Sequence, residues 1–196
     1  IIKAYPGEEA SVDSTIELEQ NEGGSVQGLF VNGDKLVVFG SFYDIDYFRE
    51  VGFTPRRGGL TFFTVYDISD RADPEAVKEY KFEGTYFQGR MYEDNVYFVV
   101  TAFPEGRTEM PTPIIIEDDQ LRSMPVNDIY YFPVPYDDVQ LATVHSVDLD
   151  DLESLSSKAV AVEWGNQLYM SEDNIYITTT EHINEWELRQ QIIMEI

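Results

Sequence analysis

The 196 residues contain no cysteine, which removes disulfides, thiolate zinc sites and cysteine nucleophiles from consideration. Histidine is almost as scarce: His145 and His182 are the two, and they stand far apart in sequence. The chain has no H-E-x-x-H pair, no G-x-S-x-G elbow and no phosphate-cradling glycine loop, so the standard metal and hydrolase signatures are missing. No apolar run approaches the roughly 18–20 residues that cross a bilayer as a helix, so membrane insertion is not expected. Positive charge is also short. Lysine and arginine number 13 against 37 aspartates and glutamates, for a net charge of −24. Such a surface repels phosphate backbones and anionic lipid, and nucleic acid is not an expected partner. The acidity has two readings: adaptation to a salty medium, where screening relieves self-repulsion, and plain solubility.

What is abundant is the vocabulary of β-sheet. Hydrophobic residues make up 43% of the chain, and 13 tyrosines and 12 phenylalanines are among them, far too apolar for a disordered chain. The arrangement is repetitive. "MYEDNVYFVV" begins at Met91 and "MSEDNIYITT" at Met170. Three segments align: "LFVNGDKLVVFGS" (29–41), "GRMYEDNVYFVVTA" (89–102) and "QLYMSEDNIYITTT" (167–180). Each reads as a short strand, a tight turn around Gly33-Asp34, Asp94-Asn95 or Asp173-Asn174, and a second strand of β-branched and aromatic residues. These second strands are apolar on both faces, as in a sheet covered on both sides. Glu93-Asp94 and Glu172-Asp173 are therefore expected to be turn residues, not a catalytic pair.

A second match has no gap. "TFFTVYDISDRADPEAVKEYKFEG" (61–84) aligns with "ATVHSVDLDDLESLSSKAVAVEWG" (142–165), Thr61 falling on Ala142 at an offset of 81. Each half reads as a strand ending at Asp67 or Asp148, a polar turn, and a fourth strand. The unit is four antiparallel strands, and sheets of this kind recurring along a chain are propeller blades. The expected fold is all-β: a single partial β-propeller domain over 1–196, with blades near 25–84 and 86–165 and the first hairpin of a third at 167–180. Residues 8–20 read as a lone outer strand, and 181–196, with Ile183, Trp186, Gln190 and Ile193 at helical spacing, as a short helix. About two and a half blades cannot close a ring of four or more. The chain, which begins at Ile1, thus reads as a piece of a longer protein. Its open faces invite pairing with the remainder or self-association.

These residues resemble archaeal secreted proteins that carry a C-terminal β-propeller domain distantly related to WD-type repeats. The likeness rests on "GLFVNGDKLVVFGS", "VYDISDRADPEAVKEYKFEGTYFQGRM", "DIYYFPVP" followed by "TVHSVDL", and "LYMSEDNIYIT", which together span most of 26–180. It implies a propeller, secretion or cell-surface display, and an archaeal, methanogen or halophile source. It carries over no catalytic residue.

Function is expected on the two long connections, since loops on a rigid scaffold carry binding groups. The first, 42–59, holds Asp44, Asp46, Arg56 and Arg57. The second, 103–140, holds Tyr130, Tyr131, Phe132 and Tyr136 among acids that include Glu117, Asp118 and Asp119. Joining equivalent strands, both should lie on one face. Tyr130, Tyr131, Phe132, Tyr136, Arg56 and Arg57 are the candidate ligand-binding residues for a protein or glycan partner, against the alternative that the aromatics merely pack the loops down. No cofactor is implied by any motif. Calcium is the one candidate ion, with Asp44 and Asp46 as oxygen ligands, although no EF-hand pattern surrounds them. The expected function is a non-catalytic extracellular binding or scaffolding module. The alternative is a carboxylate-based hydrolase of cell-surface polysaccharide whose site is completed by absent blades. His145, aligned with Thr64, is expected to be a strand residue with a satisfied ring.

Overall fold

The computed structural model describes all residues except 19–23, 54–58, 104–111, 134–138, 153, 164–166, 172, 179–191 and 194–196. The strands in chain order are β1 (Ile2–Lys3), β2 (Ser11–Val12), β3 (Ser25–Asn32), β4 (Lys35–Phe42), β5 (Leu60–Asp67), β6 (Glu75–Glu83), β7 (Thr85–Tyr92) and β8 (Asn95–Ala102). Then come β9 (Ile114–Glu117), β10 (Gln120–Ser123), β11 (Ile129–Tyr130), β12 (Gln140–Asp148), β13 (Leu155–Val162), β14 (Gln167–Met170) and β15 (Ile175–Thr178). A short helix, α1 (Ile45–Glu50), follows β4.

β3, β4, β5 and β6 form one antiparallel meander, and β7, β8, β12 and β13 a second. β14 and β15 pair as the opening hairpin of a third. The fold is the expected one, all-β with about two and a half four-stranded leaves. The repetition extends to single hydrogen bonds. Ile68 N–H donates to the Asp34 carbonyl at 2.8 Å, and Leu149 N–H donates to the Asp94 carbonyl at 2.8 Å. Both first strands carry a bulge at the same point, between Val26 and Gly28 and between Tyr86 and Gln88. The loops of the first two hairpins are Gly33-Asp34 and Glu93-Asp94, each opening on a positive φ (57° at Gly33, 50° at Glu93). In the second hairpin the turn thus sits one residue earlier than expected, and Asn95 is already paired strand.

The ungapped match at 81 does not survive in the fourth strand. Leu60 pairs with Glu83, but its counterpart Leu141 pairs with Ala161, not with a residue near 164. Two causes account for the slip: the turn after Asp148 is shorter, and β6 carries an extra residue, Val77, opposite Val65/Tyr66 of β5, that β13 lacks.

Alternation along the strands loads both faces. Val37, Phe39, Phe63, Val65, Tyr80 and Phe82 face the second sheet and meet Val96, Phe98, Val100 and Val147. The Phe63 and Phe98 rings stack at 4.8 Å, and Phe82 meets Phe98 edge-on at 4.9 Å, contacts worth about 0.5–1.5 kcal/mol beyond their buried area. On the far side of the first sheet, Leu36, Val38, Tyr66 and Ile68 receive Ile1, Ile16 and Leu18. On the far side of the second, Val99, Ala142 and Val162 receive Leu168 and Ile177 of the third hairpin. A single residue, Gly84, joins the sheets. Its φ is +118°, and a Cβ there would lie 2.4 Å from the Thr101 carbonyl oxygen, a position for glycine alone.

Two sequence expectations change, and a third falls outside what the structure describes. The lone outer strand expected over 8–20 is not seen among its described residues 8–18: β2 pairs with β1, and the following segment lies on the first sheet, tied by the Ser14 hydroxyl donating to the Arg71 carbonyl at 2.7 Å. The second connection is not a plain loop. It carries the β9–β10 hairpin, which adds antiparallel to β6 of the other sheet, and β11, which runs parallel beside β13. The helix expected over 181–196 lies outside the described residues except for Ile192 and Ile193, which are helical and exposed.

Candidate functional site

The two long connections meet. Phe48 and Phe53 from the first and Ile114 and Ile116 from the second are buried together, with Leu60 below them and Leu121 against their flank. The helix in the first connection is held by the burial of Phe48 and by its cap. Asp44 Oδ1 accepts from the Asp46 and Tyr47 N–H groups at 2.9 and 3.1 Å, which satisfies two of the donors that a helix start leaves open. The Asp46 carboxylate pairs with Arg49 one turn on, at 2.7 Å. Asp44 and Asp46, the candidate calcium ligands, are thus both engaged by the helix. Among the described residues no group of three or more His, Asp or Glu side chains is arranged to hold a metal ion.

The acids of the second connection serve β6. Asp118 and Asp119 both take positive φ, 46° and 62°, and form the two-residue turn of the β9–β10 hairpin. That geometry is typical of tight hairpins and suits Asp better than most side chains. The turn carries its carboxylates onto two lysines. Lys78, buried to 5%, reaches Glu117 at 3.1 Å and Asp118 at 2.9 Å. Lys81 holds its ammonium 4.7 Å from the Tyr47 ring centre and 5.4 Å from that of Phe42, with Glu79 and Asp119 at 3.9 and 4.0 Å. Tyr47 donates its hydroxyl to Asp119 at 3.2 Å, and burial together with that charge pushes its pKa far up. This box of one ammonium, two rings and two carboxylates was not legible in sequence, because its members come from three distant segments.

The candidate aromatics fall elsewhere. Tyr130 closes β11 on the outer rim of the second sheet, and Tyr131 and Phe132 follow it. The three are 55%, 73% and 54% exposed. β11 is held by pairing to Ala159 and Val160 and by Lys158, whose ammonium donates to Asp128 just before the strand. That bond raises the Lys158 pKa. Arg56, Arg57 and Tyr136 lie outside the described residues. The rim is therefore a run of three solvent-facing rings on a short, hydrogen-bonded strand, some distance along the chain from the acidic turn.

Residues that looked reactive are accounted for. His145 is buried to 2% on β12, opposite Phe98 as Thr64 is opposite Val38. Its Nδ1 lies 2.8 Å from the Ser157 hydroxyl, and its ring lies 4.0 Å from that of Phe82 across the sheet interface. Burial, assisted by the Arg122 charge, lowers its pKa to about 3, so the ring is neutral at any ordinary pH. Asp67 Oδ1 caps the Ser69 N–H, and Asp148 Oδ1 caps those of Asp150 and Asp151. Both are Asx turns that end the third strand. The Lys35 ammonium, 2.7 Å from Asp67, holds that carboxyl well below the usual carboxylate range.

A family model described as a beta propeller domain matches residues 1–194. No curated protein and no solved structure matches the chain.

Proposed function

Because the chain belongs to the β-propeller domain family, we propose that it is a non-catalytic binding or scaffolding module displayed outside the cell, which meets a glycan or a partner protein through the rim of its second sheet. The observation that carries this reading is the run Tyr130–Tyr131–Phe132, three consecutive aromatic side chains each more than half exposed. Rigid rings offer flat apolar area at little entropic cost, and a hydrogen-bonded strand beneath them removes most of the remaining cost of ordering. Glu117, Asp118 and Asp119 of the second connection are engaged as counterions of β6 lysines, which favours recognition over acid–base catalysis by these acids. The same reading makes the surplus of carboxylates an adaptation to a salty exterior.

The test uses soluble cell-surface polysaccharides and two readouts, retardation in affinity electrophoresis and release of reducing ends. Retardation without release, abolished by the combined Tyr130→Ser, Tyr131→Ser and Phe132→Ser variant at unchanged melting temperature, supports the proposal. Release of reducing ends by the wild-type chain overturns its non-catalytic half, and retardation indifferent to the triple variant overturns the assignment of the rim.

A further inference from the structure

The leaves of this fold meet through two different faces, and the chain leaves part of one of each uncovered. Phe30, Val37 and Phe39 lie on the forward face of the first sheet, which meets Tyr86, Met91, Val96 and Phe98 on the rear face of the second. The Phe39 and Tyr86 rings are 4.8 Å apart in this contact. The second sheet repeats the relation on its other side, where Val99 and Ala142 receive Leu168 and Ile177 of the third hairpin.

The strand registers identify the residues that would continue the series at either end. On the third hairpin Tyr169 pairs with Tyr176, next to the pair Leu168–Ile177 that is packed on the second sheet. Side chains alternate along a strand, so the two tyrosines form the forward face. Their rings lie 6.0 Å apart, and both residues are more than half exposed. They hold the register positions of Phe30 and Val37 in the first hairpin, which the second sheet covers.

The rear face of the first sheet shows the complementary gap. Val26, Leu29 and Val31 of β3 pair with Gly40, Val38 and Leu36, just as Tyr86, Gly89 and Met91 of β7 pair with Val100, Phe98 and Val96. Tyr86 and Met91 are packed against the first sheet. Their counterparts are open: Leu29 and Val31 are more than half exposed, and Val26 nearly so. Ile1, Ile16 and Leu18 cover this rear face over β4 and β5, on Leu36, Val38, Tyr66 and Ile68.

Single exposed aliphatics are ordinary on a protein surface, but a set that reproduces a packed contact position for position is not. A forward and a rear face on one molecule are complementary to each other and not to themselves. That is the condition for a head-to-tail contact, which closes into a ring where the rotation between units allows it. A partner that brings both faces is another molecule of this chain. Two copies, each with about two and a half leaves, carry about five, within the four to eight of a closed propeller.

We propose that a second copy of the chain seats the Tyr169–Tyr176 face of its third hairpin on Val26, Leu29 and Val31 of the first, and that the reciprocal contact closes a two-chain ring. The contact is apolar and joins molecules of net charge −24, so it forms against mutual repulsion and tightens as salt rises.

Sedimentation velocity of the whole chain, from micromolar to millimolar concentration at low and at molar salt, reads the assembly. A monomer–dimer equilibrium is expected, shifted towards the dimer by salt. The double variants Tyr169→Ser with Tyr176→Ser and Leu29→Ser with Val31→Ser alter exposed side chains only. Each is expected to lose the dimer while keeping the melting temperature of the dilute wild type. Mixed together, each variant supplies the face that the other has lost, and a 1:1 dimer weaker than that of the wild type should form. A wild type that stays monomeric at both salts, a double variant that still dimerises alone, or a mixture that stays monomeric would each overturn the proposal. The rim variant described above should dimerise like the wild type, which keeps this proposal separable from recognition at the rim.

Discussion

Lowering the pH should unfold this chain through one imidazole more than through any other identified group. His145 is enclosed by Phe82 and Phe98 and is 2% exposed, and its pKa in the fold is lowered to about 3 by burial and by Arg122. In the unfolded chain the same ring titrates near 6.5. Above that pH both states hold a neutral ring and the group contributes no pH dependence. Below it the unfolded state takes up a proton that the folded state refuses, so stability falls with pH at about 1.4 kcal/mol per unit, and the fall ends only near pH 3. From pH 7.5 to pH 5.0 the loss is therefore about 2 kcal/mol, a sizeable part of the total stability of an ordinary domain.

The carboxylates titrate over part of the same range, and protonating them relieves the self-repulsion of a chain with net charge −24. The observable must be a difference. Urea unfolding of wild type and His145→Gln at pH 7.5, 6.0 and 5.0, at one salt concentration, cancels every carboxylate common to the two. Glutamine keeps a polar group for Ser157 and cannot titrate. The variant is expected to start less stable and to lose about 2 kcal/mol less than wild type between pH 7.5 and 5.0. Parallel curves over that range would refute the claim that His145 is buried and neutral at the sheet interface.

Three further outcomes follow from the same contacts. Gly84→Ala places a Cβ 2.4 Å from the Thr101 carbonyl oxygen at a φ of +118°; it should cost at least about 3 kcal/mol, seen as a large drop in urea midpoint, whereas Gly7→Ala, where nothing lies within 4 Å, should be close to neutral. The combined Glu117→Gln, Asp118→Asn change removes both carboxylates within 3.1 Å of the Lys78 ammonium and should destabilise by roughly 2–3 kcal/mol, towards the low end for a buried pair because Asp118 is half exposed. Adding Lys78→Met to that variant should restore part of the loss, and a triple variant no better than the double would argue against a charge effect. In a melting series from low to molar sodium chloride the wild type should gain stability steadily; a fall with salt would contradict adaptation of the acidic surface to a saline medium.

The parts of the fold that could be read in advance are those where local chemistry and long-range packing demand the same letters. "VNGDKLVVFG" and "MYEDNVYFVV" needed a tight turn and a strand buried on both faces, and both demands are written locally. The fourth strand was misread because an ungapped alignment is blind to a shorter turn and a lost bulge that together shift Leu141 onto Ala161. The hairpin at Ile114–Ser123 was passed over although its signal was present: a β-branched run, two aspartates able to take positive φ, and a second polar strand. What no local pattern contained was its destination, because pairing with β6 depends on Lys78 and Phe82 some 35 residues upstream. The candidate sites divide in the same way. Tyr130, Tyr131 and Phe132 stood out as a cluster and are exposed, whereas Tyr169 and Tyr176 read simply as alternate strand residues.

The crossing of the β9–β10 hairpin also bears on how any ligand at the rim would be felt elsewhere. The second connection leaves β8, joins the edge of the first sheet through β9, and returns to the edge of its own sheet through β11. Its two anchors therefore lie on different sheets, with Ile114, Ile115 and Ile116 buried at one end and Tyr130 exposed at the other. Between sheets joined in sequence by Gly84 alone, this strap supplies the second attachment and turns a hinge into a clamped joint. It also carries Asp119 at the Lys81 box and Tyr130 at the rim. A ligand at the rim would be felt at Asp119 only if the β9–β10 hairpin has a second arrangement to leave. The pairing of Tyr80, Lys81 and Phe82 on β6 with β9, the Asp118 N–H donating to the Glu79 carbonyl, and the double ion pair at Lys78 argue for a single arrangement. A ligand at the rim should accordingly leave the Lys81 box undisturbed.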